Sequence, residues 1–193
     1  MISTTNLSVQ FGKRILFDEV NVTFKKGNCY GIIGANGSGK STFLRILSGK
    51  LNPNSGNVII ESNKRLSVLE QNQNEFDDFE TLKTTIMGNK DLYEIKKEMD
   101  DLYAKSDFND DDGVKVGELQ NRYEEMDGWN AESDAASLLS QLGVNEELHY
   151  TKMSDLDAKT KVRVLLAQAL FGNPDILIML SLIHISEPTR HTD

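Results

Sequence analysis

Eight consecutive residues, Gly34-Ala35-Asn36-Gly37-Ser38-Gly39-Lys40-Ser41, have the types and the spacing to hold a chain of phosphates. They fit the pattern G-x-x-x-x-G-K-[ST], in which glycines let the backbone wrap closely around the anion and present N–H groups to it. The N-terminus of the helix that must follow adds a favourable dipole. Lys40 is placed to reach the β- and γ-phosphates, and the Ser41 hydroxyl to coordinate Mg²⁺. Gly34, Asn36, Gly37, Ser38, Gly39, Lys40 and Ser41 are therefore the candidate contacts to a chain of phosphates, with Lys40 also a catalytic candidate and Ser41 a metal ligand.

The pattern is expected to lie after a strand and at the start of a helix. The apolar run Cys29 to Ile33 predicts the strand, Phe43, Leu44, Ile46 and Leu47 have helical spacing, and Gly49 is placed to end that helix in a left-handed cap. Upstream, Leu7, Val9 and Phe11 alternate, as do Val20, Val22 and Phe24, with Gly12 and Lys25-Lys26-Gly27 as turn signals between strands. The turn Pro53-Asn54-Ser55-Gly56 leads to strand candidates around Val58 to Ile60 and Leu66 to Leu69.

Helices dominate after Gln71. Leu92, Ile95, Met99 and Leu102 are spaced by three, four and three, and Val116, Leu119, Tyr123 and Met126 repeat the spacing beyond the polar link Asp107 to Asp112. The pattern predicts an antiparallel helical hairpin over about 90–127, each helix with one apolar stripe, projecting from the domain or leaning on it. A last helix is expected from about Ala158 to Phe171, capped by Gly172, with Pro174 barring continuation, and then a buried strand from Asp175 to Met179. Strands at both ends with helices between them indicate an α/β sheet.

Composition bounds the rest. The 193 residues suffice for one domain with an elaboration. No window reaches the roughly 18 apolar residues of a membrane span, and the longest, Ile176 to Ile185, is broken by Ser181 and His184. The first twenty residues carry no secretory pattern, and the single cysteine, Cys29, suits a reducing compartment, so a cytoplasmic protein with no membrane partner is expected. The net charge of −9 is concentrated between Glu75 and Glu147, where about 21 Asp and Glu face 7 Lys and Arg. That segment repels phosphate backbones.

The longer string from Gly31 to Thr42 resembles ATP-binding cassettes rather than kinases or small GTPases. The resemblance implies a P-loop NTPase fold with N-terminal antiparallel strands and an inserted helical hairpin. It also implies that Phe11 stacks on adenine and that Gln71, after Leu69-Glu70, contacts Mg²⁺ and the attacking water. The run from Met153 to Leu170 is similar to the family's signature segment and its helix. Where Leu-Ser-Gly-Gly is usual, however, this chain has Leu156-Asp157-Ala158-Lys159, losing the residues that approach the γ-phosphate of a partner cassette.

Together with the acidic hairpin, these features resemble the ABC-F proteins, soluble ATPases with two cassettes in one chain, and the segments Cys29 to Leu47 and Val164 to Pro174 resemble the first cassette of their bacterial translational-throttle type. The resemblance implies a second cassette and the ribosome as partners, with the hairpin as an arm toward the ribosomal exit-site region. Its acidity favours basic ribosomal protein surfaces over RNA. Two other readings stand beside this one: the nucleotide-binding subunit of a membrane transporter, and a non-catalytic module whose hairpin recruits a partner.

The expected organisation is a nucleotide-binding core over 1–72, a helical subdomain over 73–150, the signature-like helix and strand over 151–179, and a non-native tail over 180–193. Asp175 to Met179 should run into an Asp-Glu pair that orders metal and water, but Leu180 and Ser181 stand there. Leu180 to Arg190 resembles the translation of an adapter used in transposase-made sequencing libraries. On that reading the cassette is truncated at its second nucleotide-binding strand, His184 and His191 are no metal ligands, and this fragment binds ATP without efficient turnover although its parent hydrolyses it.

Overall fold

A computed structural model describes residues 1–35, 37–69 and 74–179. Asn36, Gln71 and the tail 180–193 lie outside them. The strands are β1 (Ile2–Phe11), β2 (Arg14–Phe24), β3 (Ser55–Ile60), β4 (Leu66–Leu69) and β5 (Ile176–Met179). The α-helices are α1 (Lys40–Leu47), α2 (Thr81–Ile86), α3 (Lys90–Tyr103), α4 (Asp110–Glu125), α5 (Ala131–Gln141) and α6 (Ala158–Phe171). The chain divides into two compact units, whose described residues are 1–35, 37–64, 68–69 and 178–179 in the first, and 65–67 and 74–177 in the second.

In the first unit, β1 pairs antiparallel with both β2 and β3, giving the order β2-β1-β3. Gly12, at φ 60°, turns the β1–β2 hairpin as its sequence position predicts. A register shift after Thr4 frees backbone groups that the Thr4 hydroxyl takes up, donating to the Val20 carbonyl at 2.9 Å and accepting from the Val22 N–H at 3.1 Å. The alternating side chains Leu7 and Val9 are buried beneath Ile46 of α1, with Phe17, Phe43 and Val58 packed around them. Helix α1 thus lies on the sheet by its apolar face. It closes at Gly49 (φ 76°), whose N–H bonds to Ile46 O at 3.1 Å while Lys50 N bonds to Arg45 O at 2.9 Å, a Schellman pair as expected from the glycine.

One expected element is absent: Cys29 to Ile33 form no strand, and Ile33 is 97% exposed. A continuous apolar run of this kind is stable as an interior strand only when neighbours bury both its faces, and no described strand pairs with it. Strands β4 and β5 form a separate two-stranded sheet at the positions read from the sequence.

In the second unit, the helical hairpin forms from α3 and α4. Leu92, Ile95, Met99, Leu102, Val116, Leu119, Tyr123 and Ala131 make one buried cluster, with Met126 and Phe171 against it. The stripes therefore pack on each other, and residues from α5 and α6 share the cluster. Asn109 and Asp112 make a reciprocal capping box at the start of α4. Lys105 pairs with Asp112 at 2.7 Å and Lys115 with Glu98 at 2.5 Å across the hairpin. The turn after α2 approaches α6 so closely that a Cβ at Gly88 would lie 1.8 Å from the Gln168 carbonyl oxygen, so only glycine fits. Helix α6 spans the predicted residues and caps at Gly172, while Asn173 (φ 48°) rather than the glycine takes the left-handed turn.

Candidate functional site

Three glycines shape the loop between residue 34 and α1. Gly37 and Gly39 sit at φ 79° and 96°, conformations that other residues adopt only under strain. A Cβ at Gly34 would fall 2.7 Å from Ser38 Oγ, and one at Gly39 would press on the Phe17 ring at 3.3 Å. The Ser38 N–H closes a turn on the Ala35 carbonyl at 3.1 Å, and the Phe43 N–H starts the helix ladder on Gly39 O at 2.8 Å. Lys40 Nζ donates to the carbonyl of Gly34, tying the first residue of the loop to the first of α1.

The loop rests on the sheet beneath it. Phe17 of β2 meets Phe43 of α1 edge to face at 5.7 Å, fixing the helix whose N-terminus points at the loop. Arg14, the first residue of β2, reaches across to donate from Nη2 to the Gly37 carbonyl at 2.8 Å. Its cross-strand partner is Phe11, 55% exposed at the end of β1. The structure therefore brings together Phe11, Arg14, Gly37, Lys40 and Ser41 within one unit. Arg14 was not read from the sequence, since a lone arginine in a hairpin turn carries no pattern; its role shows only in the cross-strand pairing.

This arrangement suits a polyphosphate. The first turn of α1 holds no acidic residue, Lys40 and Arg14 supply positive charge, and the helix N-terminus leaves backbone N–H groups without intrahelical partners. Ser41 and Thr42 stand in the first turn, where a hydroxyl can serve a metal bound to the phosphates. Among the described residues no cluster of His, Cys, Asp or Glu forms a metal site of its own.

The signature-like segment has a local physical explanation. Asp157 is the N-cap of α6, its Oδ1 accepting the Thr160 N–H at 2.7 Å. That hydrogen bond from the helix backbone, with the Thr160 side chain, holds the Asp157 carboxyl below the usual carboxylate range. A serine would cap the same helix without the charge. One turn further, Lys161 is buried and donates to Asp77 Oδ1 at 2.7 Å and Asn74 Oδ1 at 3.2 Å. The backbone follows: Ser154 N bonds to Asp77 O and Met153 N to Phe79 O. The turn after residue 73 is latched to the start of α6.

The family model described as "ABC transporter" matches residues 17–179. The chain is 51% identical over 193 residues to the "Uncharacterized ABC transporter ATP-binding protein YkpA" of Bacillus subtilis, covering all of this chain and 35% of that protein. It is 47% identical to the "Probable ATP-binding protein YbiT" of Escherichia coli O157:H7, with the same coverage. The chain thus spans about a third of the length of these relatives. Among solved structures, a post-hydrolysis dimer of the ATP-binding cassette MJ0796 with ADP and phosphate superimposes with a TM-score of 0.65 at 20% identity, over 93% of this chain and 73% of that one. That likeness concerns the fold.

Proposed function

The chain belongs to the ABC transporter family as one of its ATP-binding cassettes, and from this premise we propose that it binds MgATP on the loop from Gly34 to Ser41 as the first half of a two-cassette, ribosome-associated ATPase of ABC-F type. The observation that carries nucleotide binding is the glycine-shaped loop itself, held at the N-terminus of α1 by Lys40 and Arg14. In this reading Lys40 turns from the Gly34 carbonyl to the β- and γ-phosphates and stabilises negative charge that builds up as the γ-phosphoryl leaves. The N–H groups of 37–41 orient the polyphosphate, and Phe11 offers its exposed ring to the adenine. Ser41 and Gln71 are the residues that would hold Mg²⁺, which would supply positive charge to the phosphates when bound, and Gln71 would position the attacking water. Asn36 and Thr42 complete the proposed contact set.

The ribosomal role rests on the sequence resemblance and on the α3–α4 hairpin between the loop and α6, where the resemblance places the arm. Binding of a fluorescent ATP analogue to the full-length protein tests the first step. Lys40→Ala should weaken it at least tenfold, and Ser41→Ala should remove most of its Mg²⁺ dependence. Unchanged affinity in both variants would sink the assignment of the loop. For the second step, full-length protein with a non-hydrolysable ATP analogue should co-sediment with ribosomes.

A second reading is favoured by the family description and by the names of the relatives: a nucleotide-binding subunit of a membrane transporter. The two readings separate on the full-length gene product, where a second phosphate loop supports the ribosomal reading and ATPase activity stimulated only by a membrane-embedded partner supports the transporter.

A further inference from the structure

At the turn of the hairpin lies an aromatic surface that the hairpin's own core does not use. The rings of Tyr103 and Phe108 stack, 6.3 Å between centroids and 7° from parallel, yet they are 57% and 45% exposed. Val114 on the first turns of α4 is 65% exposed. Their sequence neighbours Leu102 and Val116 face the other way and close the buried cluster, so exposure here is not a failure of packing. The plate is also held in place: Gln120 Nε2 donates to the Tyr103 hydroxyl at 2.7 Å.

The charge around the plate is one-sided. The nearby lysines are engaged, Lys105 with Asp112 and Lys115 with Glu98. Asp107, Asp110 and Asp111 are exposed, and among the described residues no ion pair holds Asp110 or Asp111. Unpaired carboxylates repel a phosphate backbone. A guanidinium, by contrast, stacks on aromatic faces and pairs with carboxylates through the same planar group, while a strongly hydrated ammonium does the first less well. We propose that the hairpin tip built from Tyr103, Phe108, Asp110 and Asp111 is a docking surface for an arginine-rich protein segment. The proposal deepens the reading of the hairpin as a contact arm and does not depend on nucleotide.

The test uses full-length protein with three probes: a nona-arginine peptide, a nona-lysine peptide and an RNA duplex. Wild type should bind the arginine peptide several-fold more tightly than the lysine peptide at about 0.15 M salt. The double variant Tyr103→Leu/Phe108→Leu should lose that preference, and Asp110→Asn/Asp111→Asn should weaken arginine-peptide binding at least fivefold. Glu132→Gln/Asp134→Asn on α5, with the same change in net charge, should barely move it. Tip variants that match wild type or the α5 control would overturn the proposal, as would tip variants that weaken RNA binding instead of peptide binding. Binding of the fluorescent ATP analogue to the same samples keeps the outcomes apart: its loss would count against the nucleotide site and leave the docking surface standing.

Discussion

At the scale of single residues, two carboxylates secure helix N-termini, Asp112 in the capping box of α4 and Asp157 as the N-cap of α6. Asp112 accepts from Lys105 and from the Asn109 N–H, and these contacts, the lysine foremost, hold its carboxyl below the ordinary value. Asp157 is lowered in the same way by the N–H and side chain of Thr160. A depressed folded-state value means that the stabilisation is present above the unfolded carboxylate value, about 3.9, and fades as pH falls through the lower folded value. Resistance of the second unit to urea should therefore fall on moving from pH 7 to pH 3, and Asp112→Asn should flatten that acid limb; an unaltered slope would remove Asp112 from the account. Asp157→Ser should retain most of the stability that Asp157→Ala loses, because either side chain caps α6. Lys161→Met tests the buried latch. Since Asp77 keeps 32% of its side-chain exposure, the abandoned carboxylate can rehydrate, and a loss of about 1–2 kcal/mol is expected rather than the larger cost of stranding a fully buried charge.

At the scale of elements, legibility followed the size and spacing of apolar side chains. The hairpin was readable because Leu92, Ile95, Met99 and Leu102, then Val116, Leu119 and Tyr123, mark two helical stripes, and those side chains form the buried cluster. Helix α5 escaped because its buried face is Ala131, Ala135 and Leu139, where two of three anchors are small. Helix α2 escaped because Thr81, Thr84 and Thr85 are poor helix formers; they are buried in part because the Thr81 and Thr85 hydroxyls donate to the Thr151 and Thr81 carbonyls. The loop was readable from its glycines and Lys40, whereas Arg14 and the buried Lys161 depend on contacts far apart in sequence. The strand expected over 29–33 failed for the opposite reason: an apolar run specifies burial but does not supply neighbours. If the hairpin stripes carry the second unit, Leu119→Ala should cost about 2–5 kcal/mol by denaturant unfolding, and exposed Val114→Ala should cost almost nothing. Equal effects would mean that the cluster is not the source of its stability.

At the scale of the molecule, the phosphate loop, α1 and the sheet β2-β1-β3 share one core around Leu7, Val9 and Ile46, and the helical unit has another around Leu92 to Tyr123. Because the proposed contacts Phe11, Gly34 and 37–42 all belong to the first unit, the proposed nucleotide would have its differential contacts there. Binding to the folded state alone stabilises by mass action, about 2.7 kcal/mol at a hundredfold excess over Kd. Hydrogen exchange of the full-length protein, with and without MgATP, should therefore slow in 11–17 and 37–47 by up to about a hundredfold and stay unchanged in the α3–α4 amides. If the hairpin amides slowed by the same factor, the two cores would be unfolding as one cooperative body, and nucleotide would be setting the stability of the arm as well as that of its own loop. Protection in neither segment would leave the loop without its ligand.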